Sequence, residues 1–170
     1  MKCIHEFIGQ ELKWQQPGAL KMAYELRVMD EILATLRFRS SFSSFATAEC
    51  ADGCWIFKRT GFLQNKVSIY ACGSEIEIAV FKKNFWGDGG WLEFTNGRRF
   101  RTTADFWQTG YAFRSETGEP IVFFRQGGFL HLSSRVAIQP PATFVPELPL
   151  LLVLGWYLIV LTHYDNGASV

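Results

Sequence analysis

The chain has 170 residues, 17 Lys+Arg against 16 Asp+Glu, a 48% hydrophobic share, 16% aromatics and four cysteines. That length suits one domain with a single buried core, and the aromatic content excludes a disordered chain. A charge balance this close to zero argues against a nucleic-acid partner held by a broad basic surface. Helix formers are sparse beside Phe, Trp, Val, Ile, Thr and Gly, which points to β structure.

Residues 1–16 carry charges throughout and contain no apolar run long enough for a signal peptide, so a cytosolic product is expected unless the C-terminus anchors it. A first strand is expected around 12–15, before Pro17-Gly18. From 20 to 140 one pattern recurs: an alternating apolar segment, a tight-turn signal and a second alternating segment. Residues 24–28 lead through Met29-Asp30 into 31–39, where Ile32, Ala34, Leu36 and Phe38 share a face. Residues 45–50 turn at Asp52-Gly53 into 55–60. Residues 66–71 turn at Cys72-Gly73 into 75–83, with Ile76, Ile78, Val80 and Phe81 carrying the apolar content. Residues 91–95 turn at Asn96-Gly97, a strong hairpin signal, into 98–103. Residues 107–114 turn at Thr117-Gly118 into 120–125, and a weaker pair, 129–132 and 135–138, closes the series.

The turn centres fall near 30, 52, 73, 96 and 117, a period of about 21 to 23 residues that favours a sandwich, a propeller or a barrel. With the strand at 12–15 the count reaches about eleven to thirteen. One face of each strand is apolar and the other carries Lys, Arg, Glu, Thr and Ser, so the sheet has a dry side and a wet side.

The last segment breaks this pattern. Pro140-Pro141 ends the strands, and Glu147-Leu148-Pro149 opens a helix predicted over 147–163 that has no polar face between Leu150 and Leu161. Such a helix must be enclosed by protein or by lipid. Seventeen residues span roughly 24 to 26 Å, short of the hydrocarbon thickness of about 30 Å, and no Lys or Arg follows to set an orientation. About twelve strands would also enclose a lumen that needs a filler of about a helix's diameter. The expected fold is therefore mainly β, one domain over 1–170. It is a closed antiparallel barrel of about twelve strands around a central hydrophobic C-terminal helix. The alternative is an integral membrane protein tethered by 147–163.

Four stretches stand out within this pattern: Asp52-Gly53-Cys54-Trp55-Ile56-Phe57-Lys58, then Gly90-Trp91-Leu92-Glu93-Phe94-Thr95-Asn96-Gly97-Arg98-Arg99-Phe100, Gly118-Glu119-Pro120-Ile121-Val122, and the helix from Glu147 through Gly155-Trp156-Tyr157. On these residues the chain resembles the tubby-like superfamily, which contains the tubby C-terminal domain, the phospholipid scramblases and the plant LURP-one-related proteins. The likeness covers about residues 20 to 163 and is architectural. It implies a barrel that binds phosphoinositide head groups through basic residues, or a link to calcium and lipid movement. The proline- and cysteine-rich extension and the acidic calcium-type segment of scramblases are missing, as is any Asp-x-Asp-x-Asp loop.

The basic doublets are the first candidate site. Residues 58–101 hold eight Lys/Arg and four Asp/Glu, with Lys58, Arg59, Lys66, Lys82, Lys83, Arg98, Arg99 and Arg101 as the cations. Either they assemble into a patch for anionic phospholipid head groups, or they solvate the outer face and protect strand edges. The second candidate is the loop 85–91, where Phe85 and Trp86 either contact a membrane interface or fold over the barrel mouth. Cys50 and Cys54 flank a turn and could face each other, but all four cysteines, with Cys3 and Cys72, read best as small reduced hydrophobes. His5, His131 and His163 are scattered, without nucleophile or zinc spacing. No enzyme activity, metal or cofactor is expected. The expected function is a binding or scaffold protein, cytoplasmic and peripherally associated with membranes.

Overall fold

The computed structural model describes residues 1–18, 22–85, 89–105, 110–127 and 131–167. Its strands are β1 (Glu11–Gln15), β2 (Ala23–Val28), β3 (Glu31–Phe38), β4 (Ala46–Cys50), β5 (Gly53–Thr60) and β6 (Lys66–Ala71). They continue as β7 (Glu77–Lys83), β8 (Gly89–Phe94), β9 (Arg99–Ala104), β10 (Gly110–Ser115), β11 (Pro120–Gly127) and β12 (Ser133–Ile138), followed by the helix α1 (Leu148–Gly167). Each strand pairs antiparallel with its sequence neighbours, and β1 pairs with β12, so these twelve described strands form a closed barrel without edges.

Turn chemistry sets the register of the hairpins. Gly97 and Gly118 both sit at positive φ, where a side chain would be strained. In each case the glycine N–H returns 3.0 Å to the carbonyl of the last strand residue, Phe94 or Ser115, closing the same three-residue hairpin loop. Asn96 adds a side-chain acceptor for the Arg98 N–H at 3.0 Å.

Two faces differ from simple alternation. A register shift between Leu26 and Arg27 on β2 turns Leu33 into the core and leaves the expected Ile32 only partly buried. A second shift, between Ile69 and Tyr70 on β6, accompanies a β7 whose inner residues are Ala79 and Phe81, while Ile76 lies before the strand at 75% exposure. The weaker hairpin expected over 129–132 and 135–138 is not one: β12 pairs with β11 and β1, and His131 and Leu132 lie outside any strand. Residues 107–109 and 128–130 lie outside the described residues.

α1 runs through the barrel. Every residue from Leu148 to Leu161 is buried, on all sides of the helix. Trp156 stacks on Trp14 of β1 at 5.8 Å and meets the Tyr24 ring of β2 edge-on at 5.6 Å. Tyr157 stacks on Phe38 of β3 at 5.5 Å and tilts against Phe57 of β5 at 5.0 Å. On the opposite side Gly155 admits the rings of Phe124 and Phe113, and a Cβ there would lie 2.4 Å from Phe124 Cζ. Aromatics on one side and a glycine on the other centre the helix in its sheath. The enclosed helix is the arrangement found.

The two ends of the barrel differ. α1 enters beneath 3-10 turns over Ile4–Phe7 and Pro140–Phe144, with Ile4, Ala142, Val145 and Leu148 all buried and a His5 ring nitrogen 3.0 Å from the Val145 carbonyl. Its last residues emerge at the other end. There the Tyr24 hydroxyl lies 3.0 Å from that of Tyr164, and Arg59 holds Asp165 through bonds of 3.1 and 3.0 Å.

Trp156→Ala is expected to destabilise the protein by about 3–5 kcal/mol in urea unfolding, because the enclosing wall cannot collapse onto the gap. Burial also raises the phenol pKa values of Tyr24 and Tyr157, in Tyr157 against the opposing charge of Arg59. Their contribution to stability is therefore complete below about pH 10 and is lost as pH climbs toward the folded-state values. Alkaline unfolding should flatten in a Y24F/Y157F double variant, as followed by tryptophan fluorescence.

Candidate functional site

In this topology the connections alternate between ends. Those after the even-numbered strands β2 to β10 are tight turns at the closed end, and each carries or adjoins carboxylates: Asp30 and Glu31, Glu49 and Asp52, Glu75 and Glu77, Glu93, Glu116 and Glu119. Glu147 joins them at the start of α1. Cations at this end are tied down. Lys2 pairs with Glu31 at 3.0 Å, and Arg98 reaches Glu147 through a short Nε contact and a second bond of 3.0 Å from Nη2.

The open end has the opposite character. Arg39, Lys58, Lys66, Lys82 and Lys83 lie in or near the connections after β3, β5 and β7, whereas the described carboxylates at this end are Asp105, Asp165, held by Arg59, and Glu25 near the start of β2, held by Arg27. The same three connections carry large apolar residues in solvent: Phe42 is fully exposed, Leu63 is 80% and Phe85 92% exposed. Two hollows of about 260 and 470 Å³ flank the emerging helix, and Phe81, Lys83, Leu158 and Thr162 line both. One end of the molecule thus combines cations with exposed apolar tips.

The basic stretch read from the sequence divides accordingly. Lys58, Lys82 and Lys83 come together at the open end; Lys58 also lies over the Tyr70 ring at 5.1 Å, and Lys82 lies 3.9 Å from Glu93. Arg59 is half-buried and structural, engaged with Asp165 and Gln64. Arg98 and Arg99 lie near the closed end. Arg99 stacks over Trp91 at 4.3 Å and pairs with Glu93 and Glu116 at 3.3 and 3.5 Å, and Arg101 stands beside it on the outer wall of β9. Phe85 is at the open end, and Trp86 lies outside the described residues. Phe42, Leu63 and Arg39 escaped the sequence reading. Their signal was a bulky apolar residue in each connection after an odd-numbered strand, and it becomes readable only when the strand order is known.

The cysteines depart from expectation. Cys54 forms a disulfide with Cys72, its neighbour across β5 and the end of β6, where the Cys72 N–H donates to the Cys54 carbonyl at 3.0 Å. Cys50 cannot take that role, because it lies across from Gly53 and packs toward the core while Cys54 points outward from the barrel. Cys3 and Cys50 are free and flank Asp52, whose Oδ1 accepts from the Cys3 thiol at 3.0 Å. The bond to that carboxylate raises the Cys3 pKa and burial raises that of Cys50, so both stay protonated thiols at neutral pH and are poor nucleophiles. Among the described residues no group of His, Cys, Asp and Glu is arranged to hold a metal ion.

No family model matches the sequence, and no curated protein matches it. The fold is similar to that of an Arabidopsis thaliana protein known from its X-ray structure, with a TM-score of 0.56 over 95% of this chain and 96% of that one, at 9% identity. A likeness at that identity speaks to the fold alone.

The disulfide closes a loop with a sequence separation of 18 residues, so Cys72→Ser should cost about 3 kcal/mol in oxidising buffer. The variant and the parent should converge under reducing conditions, as read from urea midpoints.

Proposed function

We propose that the chain is a non-enzymatic binding module of the tubby-like group that docks its open end on an anionic membrane surface. The observation that carries this reading is the axial segregation of charge and apolar tips: carboxylates crowd the closed end, while Lys58, Lys66, Lys82 and Lys83 share the other with Phe42, Leu63 and Phe85. Anionic lipid attracts such cations by about 1 kcal/mol each, and exposed aromatics favour the headgroup region. The acidic end would face away from the membrane, so the axial charge asymmetry orients the barrel before contact. The tubby-like assignment itself is supported by the closed barrel with an enclosed C-terminal helix.

The tethered alternative asks α1 to leave the barrel. That would wet the inner faces of all the strands it touches, including the rings of Trp14, Phe38, Phe57 and Phe124. An enclosed helix instead leaves only surface contacts for the membrane. Carbonate extraction separates the readings, with release expected for the docked module and retention for the tether.

Vesicle sedimentation tests the proposal directly. The protein should pellet with phosphatidylcholine vesicles containing phosphatidylserine, stay soluble with phosphatidylcholine alone, and dissociate in high salt. A K82S/K83S variant should bind about thirtyfold more weakly, the equivalent of about 2 kcal/mol. F42S/L63S/F85S should weaken binding further, and R98Q/R99Q should leave it unchanged. Equal sedimentation with neutral and acidic vesicles would overturn the reading.

A further inference from the structure

Across β11, β12, β1 and β2 the outer wall carries a row of cations with few carboxylate partners. In the strand register Arg125 of β11 stands opposite Arg135 of β12, Arg135 opposite Lys13 of β1, and Lys13 opposite Arg27 of β2. All four project outward: Lys13, Arg27 and Arg135 alternate with buried neighbours on both sides, and Arg125 follows the buried Phe124. Like charges directly opposite one another destabilise a sheet, so such a row opposes folding unless carboxylates intervene. Compensation is sparse. Glu25 pairs with Arg27 at 2.8 Å and Glu11 lies 3.9 Å from Arg135, and among the described residues Lys13 and Arg125 have no ion pair.

Beside the row the wall is hollowed into a groove of about 640 Å³ that crosses β9 to β12 and reaches β1. Its depth comes from small residues, Gly110, Ala112 and Ala137. Phe123, 37% exposed, supplies an apolar wall, Arg114 lies 5.6 Å over the Phe123 ring, and Asp105 and Glu11 are the acidic groups in the lining. Arg125 and Arg135 belong both to the row and to the groove, so the two form one surface running across the strands.

We infer that this surface docks a protein partner through the acidic stripe of an α-helix. Spacing selects the occupant. Adjacent strands place the cations about 4.8 Å apart, so the row extends about 14 Å. Carboxylates at every third or fourth position of a helix recur about 4.5 to 6 Å apart along its axis and keep step with that row. An extended acidic segment presents same-side carboxylates about 6.7 Å apart and falls out of step. Apolar residues bordering the helical stripe would enter the groove against Phe123, Ala112 and Ala137, which adds packing to a charge pattern that sets register.

Fluorescence anisotropy with three labelled peptides tests this on the full chain. The first carries Glu at helical positions i, i+3, i+4 and i+7 on one face, the second has the same composition with Glu spread round the helix, and the third is an unstructured oligo-Glu of equal charge. The first should bind about tenfold more tightly than the other two, with an affinity that falls as salt rises. An R125Q/R135Q variant should lose that preference while its melting temperature rises, because a repulsion has been removed; K13Q should do both to a smaller degree. K82Q/K83Q, at the open end, should leave peptide binding unchanged. Equal binding of the three peptides, or equal losses in the wall and open-end variants, would mean general attraction to a basic surface and would overturn the inference. So would transfer of the R125Q/R135Q defect to acidic vesicles in place of peptide, which would assign the row to the membrane. A lower melting temperature in R125Q/R135Q would show that the row is structural. Loss of vesicle binding in K82S/K83S with peptide binding intact keeps this result separate from the membrane reading.

Discussion

A helix that is apolar on every side can be dissolved only by an apolar environment on every side, and the rest of this molecule answers that requirement. A single sheet would cover one flank of α1 and leave the other wet. Closing the sheet removes both problems at once: the helix is surrounded and no strand edge stays unpaired. The contents set the size of the barrel. The paired indoles of Trp14 and Trp156 and the rings around Tyr157 fill one side of the lumen, and Gly155 lets the wall approach on the other.

Threading the helix lengthwise makes the two ends unequal. The end where α1 enters is packed by 3-10 turns and bordered by short acidic hairpins, which leaves little room for a ligand. The end where it leaves has a seven-residue connection after β3, hollows beside the helix and cations at the rim. Charge that sums to nearly nothing over the chain is thus distributed along an axis. A formal net charge of +1 carries no hint of that distribution. The outer wall repeats the lesson in a second direction, since Lys13, Arg27, Arg125 and Arg135 are far apart in the chain and adjacent in the sheet.

Much of the fold was legible because its signals are local. Asn96-Gly97 and Thr117-Gly118 demand a positive φ at one residue, and that demand is met within the turn itself. The misreadings fall where a neighbour decides. Ile32 and Ile76 have the composition of core residues, but bulges and strand ends set by pairing with β2 and β6 leave them partly or largely outside. The candidate site was legible in part. Lys82, Lys83 and Phe85 lie close together in the chain and stay together at the rim, whereas Arg98 and Arg99 lie at the start of β9 toward the opposite end and are held by carboxylates there.

By itself the sequence determined the succession of hairpins, the existence of a helix without a polar side, and the need for something to enclose it. These follow from periodicity and turn stereochemistry, which act over a few residues. Only the tertiary structure decided that β1 meets β12, that Cys54 joins Cys72 and leaves Cys50 free, and which cations share an end or a row. Those outcomes depend on which strands lie side by side and in what register. Register fixes which distant residues face each other, because a shift of one residue sends every side chain on the strand to the other face.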